Sequence, residues 1–211
     1  MSKKKATQVP ITKPDEKKSK VDQRKSTKRV RSSQTEKIVN PKTKLKSKIN
    51  MKITRNKEKI YSIACIFLII DQLIKILIKT KMNLLQEITI IPNFFSIYYI
   101  ENEGAAFSIL QNKTIFLIVI SIICIMLIDR YLSKAKDLTK LTRISFGILL
   151  GGMIGNLIDR LLYGTVTDYL AFNFFSHSFP VFNFADIGIT IGVLLIIVMT
   201  ILEEINIIKR K

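Results

Sequence analysis

Four stretches of about 20 apolar residues, roughly 60–79, 112–131, 144–163 and 183–203, constrain this chain more than any other feature. A helix rises ~1.5 Å per residue, so a stretch of this length matches the ~30 Å hydrocarbon layer of a bilayer. No repeat of fixed period relates the four stretches. The sequence therefore predicts a membrane α-helical fold with four transmembrane helices.

Positive charge lies before the first stretch and in one connection between stretches. Residues 1–59 hold 21 of the 34 Lys and Arg residues but only 5 of the 16 Asp and Glu residues. The connection 129–143 and the last three residues are also basic, whereas the other two connections carry almost no positive charge. Because cytoplasmic loops carry the excess of Lys and Arg, both termini are predicted to be cytoplasmic and residues 80–111 and 164–182 to lie outside.

The basic segment before the first stretch differs in composition from the rest. Residues 1–58 are rich in Lys, Ser and Thr and contain no aromatic residue. Such a segment cannot bury enough apolar surface to offset its chain entropy. It is predicted to be a disordered extension, 1–58, ahead of a transmembrane domain, 59–211. We expect the extension to contact anionic lipid; nucleic-acid or ribosome contact is the weaker alternative, and no nucleic-acid partner is expected.

The first outer segment carries a strand signal. FFSIYYI, residues 94–100, is aromatic and β-branched, and Pro92 limits how far a strand can extend before it. A short, curved β element at the outer membrane interface is predicted. Its aromatic residues could form an interfacial belt with those of the second outer segment, namely Phe94, Phe95, Tyr98 and Tyr99 with Phe172, Phe174 and Phe175.

Polar residues lie inside two of the predicted helices. Asp71 and Lys75 are spaced i, i+4, so they share one face of the first helix within pairing distance. In the third helix Asn156 and Arg160 have the same spacing, and Asp159 is assigned to Arg160 as its partner. These residues serve either as a packing seam or as part of a site at one depth in the outer half of the bilayer. Close helix approach is predicted at the glycines of the third helix, Gly151, Gly152 and Gly155.

Asp168 and Asp186 remain without a cation. They are the only acids in residues 164–188, a segment with no Lys or Arg. An unpaired acid in a membrane is costly, so the two form a candidate functional site. Two close carboxyl groups cannot both ionise, so one would act as an acid and the other as a base that activates water for attack on an amide. The sequence leaves open which one holds the proton, and whether Asp168 is instead a solvated loop acid and Asp186 an acid favoured by the helix dipole.

Other chemistries fit the sequence less well. Ser108 with Lys75 suggests a serine–lysine hydrolase, but Lys75 already has a carboxylate partner in its own helix. His177 is interpreted as a surface residue, and Cys65 and Cys124 as hydrophobic residues without metal-ligand spacing. No metal and no cofactor are expected. The rival class is a non-enzymatic carrier or scaffold, which should show polar residues at several depths of the bilayer.

Five short blocks occur in order between about Lys59 and the end of the chain. They are DQLIK at 71–75, NEGAAFS at 102–108, GGMIGNLIDRL at 151–161, VTDYL at 166–170 and FPVFNFADIGITIG at 179–192. Together they resemble the lipoprotein signal peptidase family, the bacterial type II signal peptidases. The resemblance implies an aspartic endopeptidase with four transmembrane helices and a small β-cradle at the outer interface of the bacterial cell membrane. The basic extension is a departure from the family core.

The resemblance also implies roles for individual residues. Members of this family cut a lipid-modified prolipoprotein just before its diacylglyceryl-modified cysteine, in contact with membrane phospholipid. The matching motifs place the catalytic pair at Asp168 and Asp186, and a structural polar pair at Asp71 and Lys75. Positions that support the active site or face the substrate are Asn102, Gly104, Asn156, Asp159, Arg160, Asn183 and Ala185.

Overall fold

Four long helices dominate the computed structural model, which describes residues 41–104, 113–174 and 177–208. They are α1 (Pro41–Lys81), α2 (Thr114–Leu132), α3 (Lys140–Tyr163) and α4 (Phe184–Ile208). Packing divides the chain into two units, Met1–Lys48 and Ile49–Lys211. All four helices are long and apolar enough to cross a membrane, which confirms the four predicted spans.

Helix α1 begins at Pro41, which corrects the prediction for residues 41–58. Composition predicts disorder there, but a helix that continues from a membrane-spanning segment needs no separate nucleation, so its lysine-rich turns can propagate. Proline is tolerated at the first helical position because its missing N–H has no partner there. Asn56 adds a tertiary contact, since its Nδ2 donates to the carbonyl oxygen of Lys136 at 3.3 Å. Residues 1–40 lie outside the described residues, so for them the disordered extension stays a prediction.

Helix α3 is the packing centre of the unit Ile49–Lys211. Its Phe146, Leu149 and Leu150 form the buried core with Ile60, Ala64 and Leu132. The glycines of α3 allow the close helix approach that their spacing predicts. A Cβ at Gly151 would lie 2.7 Å from the carbonyl oxygen of Ala64 on α1, and one at Gly152 would collide with the carbonyl oxygen of Ala185 on α4. Many apolar side chains on the other helix faces are exposed, as expected for helices that face lipid.

Two connections between helices form one antiparallel sheet. Its strands β1 (Glu87–Ile91), β2 (Phe95–Asn102), β3 (Val166–Phe174) and β4 (His177–Ser178) lie in that order. The sequence predicts only the first outer segment as β structure, yet β3 pairs along β2 from Phe95–Phe172 to Asn102–Val166. Between β1 and β2 the chain turns at Pro92 and Asn93, where Asn93 has a φ of 60°.

Aromatic packing differs in part from the predicted belt. The ring centroid of Phe172 lies 4.7 Å from that of Phe95 and 5.7 Å from that of Phe182. Tyr99 is buried and its hydroxyl donates to Glu101 at 3.0 Å, so it does not belong to a surface belt. The side chain of Phe174 and the whole of Phe175 lie outside the described residues.

The two ends of this helical unit are distinct. The sheet end carries strands β1 to β4, the end of α3 and the start of α4; there the Thr114 hydroxyl of α2 donates to the carbonyl oxygen of Gly164 at 3.0 Å. The loop end carries residues 133–139, which join α2 to α3. Arg143 Nη1 donates there to Asn56 Oδ1 of α1 at 3.3 Å. The polar residues singled out by the sequence lie towards the sheet end.

Candidate active site

Asp168 is the third residue of strand β3, where it pairs with Ile100 of β2. Its side chain is only 2% exposed. Each carboxylate oxygen accepts one side-chain amide: Oδ1 from Asn183 at 2.6 Å and Oδ2 from Asn102 at 2.8 Å. Asp168 is therefore a fixed, buried group in the sheet rather than a solvated loop acid.

Asp186 lies in the first turn of α4 and completes a reciprocal helix cap. Its backbone N–H donates to Asn183 Oδ1 at 3.0 Å, and its own Oδ2 accepts the backbone N–H of Asn183 at 3.1 Å. This is the capping-box arrangement, in which the residue before the helix and the third helical residue satisfy each other's donors. The other oxygen, Oδ1, accepts Asn156 Nδ2 at 2.7 Å. The cap and the Asn156 amide together fix the position of the Asp186 carboxyl group.

Asn183 holds the two acids together. It is fully buried, and the same side-chain amide that caps α4 through Oδ1 donates through Nδ2 to Asp168. Nδ2 also donates to Asn156 Oδ1 at 3.2 Å. One amide thus joins the strand that carries Asp168 to the helix turn that carries Asp186.

Lys75 anchors the other side of this network. Its ammonium group, 2% exposed, lies 2.9 Å from Asp71 Oδ2 and 3.1 Å from Asp159 Oδ2, and it donates to Asn156 Oδ1 at 2.8 Å. All three N–H donors of the ammonium group are used. Lys75 therefore orients the amide of Asn156, whose other end is bonded to Asp186.

The pairing of Asp159 corrects the sequence assignment to Arg160. Adjacent helical residues do not face each other. Asp159 turns inward to Lys75 and also accepts the backbone N–H of Thr167 at 3.1 Å. Arg160 turns away, with Nη2 donating to the carbonyl oxygen of Gly104 at 3.0 Å and Nη1 to the carbonyl oxygen of Asn156 at 3.5 Å.

Two further residues tie the network to its surroundings. Gln72, which was not predicted as a site residue, lies with its Nε2 3.2 Å from both Asp71 Oδ2 and Asp159 Oδ1. Its position inside the DQLIK block is the one sequence feature that points to it. Ala185 is fully buried, and its backbone N–H donates to Asp71 Oδ1 at 3.0 Å. Asp71 therefore links α1 directly to the first turn of α4.

A cavity of about 500 Å³ opens on both acids. Asn102 and Arg160 lie in its wall, and Asn102 Oδ1 also accepts the backbone N–H of Gly104 at 2.8 Å. The rest of the wall is mostly apolar, with Val166, Phe179, Val181, Phe182, Ile187 and Ile191. Every site residue named by the sequence motifs thus lines this cavity or belongs to the network behind it.

Burial raises the pKa of Asp168 to about 7, and the nearby charge of Asp186 adds to the rise. The two amide donors, Asn102 and Asn183, act in the opposite direction. Near neutral pH a large fraction of Asp168 is therefore protonated.

This raised pKa predicts how stability depends on pH. The pKa of Asp168 is about 7 in the folded state against an ordinary 3.8, so its favourable contribution is complete below about pH 4 and is lost as the pH rises through about 7. The loss amounts to up to about 4 kcal/mol. Asp168→Asn is expected to weaken the fall in Tm between pH 4 and 8, measured by thermal unfolding in detergent. Asp137→Asn, at an exposed loop-end acid, should leave the fall unchanged; parallel curves for wild type and Asp168→Asn would contradict the prediction.

The fold and the site together define a class: a four-helix membrane protein whose carboxyl pair opens on a largely apolar cavity at the sheet end. A sequence model described as Signal peptidase (SPase) II matches residues 63–202. The lipoprotein signal peptidase of Symbiobacterium thermophilum is 39% identical over 142 residues, which cover 67% of this chain and 93% of that protein. The lipoprotein signal peptidase of Maridesulfovibrio salexigens is 42% identical over 141 residues, covering 64% of this chain and 90% of that protein.

Solved structures agree with these matches. A bacterial membrane enzyme determined by the in meso method at 2.3 Å resolution superposes with a TM-score of 0.64 and 36% identity, over 68% of this chain and 88% of that one. A second, at 1.9 Å resolution, gives a TM-score of 0.59 and 37% identity over 65% and 89% of the two chains. The chain belongs to the signal peptidase II family, and it is a multi-pass membrane peptidase.

Proposed function

We propose that this chain removes signal peptides from prolipoproteins by cutting the peptide bond just before the diacylglyceryl-modified cysteine. Asp168 and Asp186 are the catalytic pair, and water is the nucleophile. One observation carries the proposal: a single buried amide, Asn183, holds both carboxyl groups, and both line one cavity.

The environments of the two acids assign different roles. Asp168 is the more deeply buried and has a pKa of about 7, so we assign it the proton that the pair shares at the start of the reaction. Asp186 is only partly buried and lies in the first turn of α4, where the helix dipole favours a negative charge. Asp186 is therefore the base and Asp168 the acid, the division expected of a carboxyl pair that shares one proton.

The reaction follows from these roles. Asp186 takes a proton from a water molecule while the oxygen of that water bonds to the carbon of the scissile carbonyl. At the same time Asp168 gives its proton to the carbonyl oxygen. The tetrahedral intermediate then collapses: the C–N bond breaks, the nitrogen receives the proton held by Asp186, and the diol proton returns to Asp168. The products are the free carboxylic acid of the signal peptide and the free amine of the cysteine, and both acids regain their starting states.

The cavity wall suits a substrate that has both acyl chains and a peptide backbone. Phe179, Val181 and Ile191 supply apolar surface for acyl chains, while Asn102 and Arg160 supply polar groups beside the acids. The basic loop end is predicted to be cytoplasmic, so the sheet end faces the outside. This orientation brings the acids to the depth of a lipid anchored in the outer leaflet.

Cleavage of a defined peptide tests the proposal. The full chain, purified in detergent, is expected to cut a synthetic prolipoprotein peptide at the bond before its diacylglyceryl-cysteine, with the products identified by mass spectrometry. The matched control is the same peptide with an unmodified cysteine, which should be cut far more slowly. Equal cleavage of both peptides, or cleavage at another bond, would overturn the proposed specificity.

A further inference from the structure

A second cavity lies at the loop end, between α1 and α3, away from the acids. Its volume is about 560 Å³. Its walls are formed by Lys59, Ser62 and Ile63 of α1 and by Lys140, Arg143 and Ile144 of α3. In each helix these residues recur at i, i+3 and i+4, so each wall is one helix face.

The cavity is positively charged. Its walls carry three cations, Lys59, Lys140 and Arg143, against one acid, Glu58. No ion pair involves Lys59 or Lys140 within the part of the chain that the structure describes. Arg143 is held in place through Nη1 alone, which donates to the carbonyl oxygen of Leu138 at 2.6 Å and to Asn56. Its guanidinium group is therefore oriented in advance for an anion.

Helix stability does not account for these charges. Lys140 and Arg143 both lie in the first turn of α3, and that turn has no acid. The positive end of the helix dipole disfavours cations in this position. A bound anion would offset this cost, which membrane orientation alone does not do.

The apolar part of the cavity fits the acyl chains of a lipid. Ile63 and Ile144 lie beside the cations. Deeper in the bundle the helices close up, because a Cβ at Gly147 would lie 2.5 Å from Ile63 Cγ2 and 3.2 Å from the carbonyl oxygen of Ile60. Acyl chains must therefore leave outward, along an α1 surface where Ile66 is 60% exposed.

We propose that this cavity binds the headgroup phosphate of an anionic phospholipid in the leaflet at the loop end. Lys59, Lys140 and Arg143 contact the phosphate, and the acyl chains lie against the apolar faces of α1 and α3. Basic pockets between transmembrane helices recognise acidic headgroups in this way. The site is distinct from the basic extension and does not depend on the proposed peptidase chemistry.

Lipid binding to the full chain in detergent tests this proposal, with phosphatidylglycerol and phosphatidylcholine of identical acyl chains as probes. Bound and free protein are counted by mass spectrometry of the intact complex. Lys59→Gln/Lys140→Gln is expected to weaken phosphatidylglycerol binding about 25-fold, the effect of two basic groups near a lipid surface. The matched control, Lys134→Gln/Lys136→Gln, removes the same charge from the adjacent loop and should bind like wild type. Circular dichroism checks that both double variants are folded.

The other outcomes each overturn the proposal. Equal phosphatidylglycerol binding by the cavity variant and the control would assign the affinity to the extension or to overall charge. Equal binding of phosphatidylcholine and phosphatidylglycerol to wild type would exclude selection by headgroup charge. Displacement of phosphatidylglycerol by inorganic phosphate at a similar concentration would identify a site for small anions instead of a lipid site.

Discussion

Asp168→Asn and Asp186→Asn are each expected to lower the rate of signal-peptide removal about 10³-fold, the usual range for loss of a positioned acid or base. Asparagine keeps the shape of the side chain and one acceptor oxygen, so one of the two hydrogen bonds that each carboxyl group accepts survives. It cannot take or give the proton that the reaction moves. Release of signal peptide from the lipidated peptide measures the rate in detergent, and accumulation of lipidated precursor reports it in cells.

Two controls make this result specific. Asp137→Asn alters an exposed acid at the loop end, paired with Lys52, and should leave the rate unchanged. The double variant Asp168→Asn/Asp186→Asn should be no slower than the slower single variant, because groups that act as one unit are not additive. Normal processing by either single variant would remove the assignment of the catalytic pair.

Lys75→Met is the second change with a large expected effect. It leaves Asp71 and Asp159 buried without their cation, which typically costs 3–5 kcal/mol. It also removes the shorter of the two hydrogen bonds to Asn156 Oδ1 and leaves only the one from Asn183 at 3.2 Å, so the N–H group that Asn156 presents to Asp186 is held less firmly. We expect a clear fall in Tm and at least a 100-fold loss of activity, both measured on purified protein in detergent. Lys79→Met, one turn further along α1 where Lys79 lies over the ring of Tyr163, should retain most of the activity.

A neutral triple variant separates charge balance from positioning. Asp71→Asn/Lys75→Met/Asp159→Asn removes both acids with the lysine, so no charge is left buried and unpaired. Its Tm is expected to recover towards wild type, while its activity stays low because Asn156 has lost the hydrogen bond from Lys75 and keeps only the longer one from Asn183. If Tm and activity both recover, Lys75 serves charge balance alone. If neither recovers, the assignment of Lys75 as a buried charge balanced by the two acids is contradicted.

Local spacing predicted some of these contacts and failed for others. The i, i+4 relation of Asp71 and Lys75 is sufficient for their contact, since one helix face fixes both side chains. Local spacing pairs Asp159 with Arg160, the nearest cation in the sequence, and does not show that Lys75 approaches from another helix. That contact requires α1 and α3 to pack closely, and a Cβ at Gly155 would collide with the Asp71 carboxylate. Contacts between residues on different helices depend on such packing, so local spacing does not predict them.

Two elements were predicted incompletely for different reasons. The residues Val166, Thr167, Tyr169 and Phe172 of β3 are β-branched or aromatic and favour a strand. The sequence alone does not show their pairing partner, because β2 lies about 70 residues earlier in the chain. The first turns of α1 carry no apolar periodicity, so their helical state depends on the membrane span that follows them. The long apolar stretches needed no such context, because their length alone sets what they can form.

Asn183 starts a helix and joins the two proposed catalytic acids with a single side chain. Fraying of the first turn of α4 would therefore also separate the two acids. The equilibrium between the folded and the frayed turn would then set the fraction of molecules able to carry out hydrolysis. Asn183→Ser would keep a good helix start yet lose the reach to Asp168. That exchange would uncouple the two acids while the cap at the start of α4 is kept.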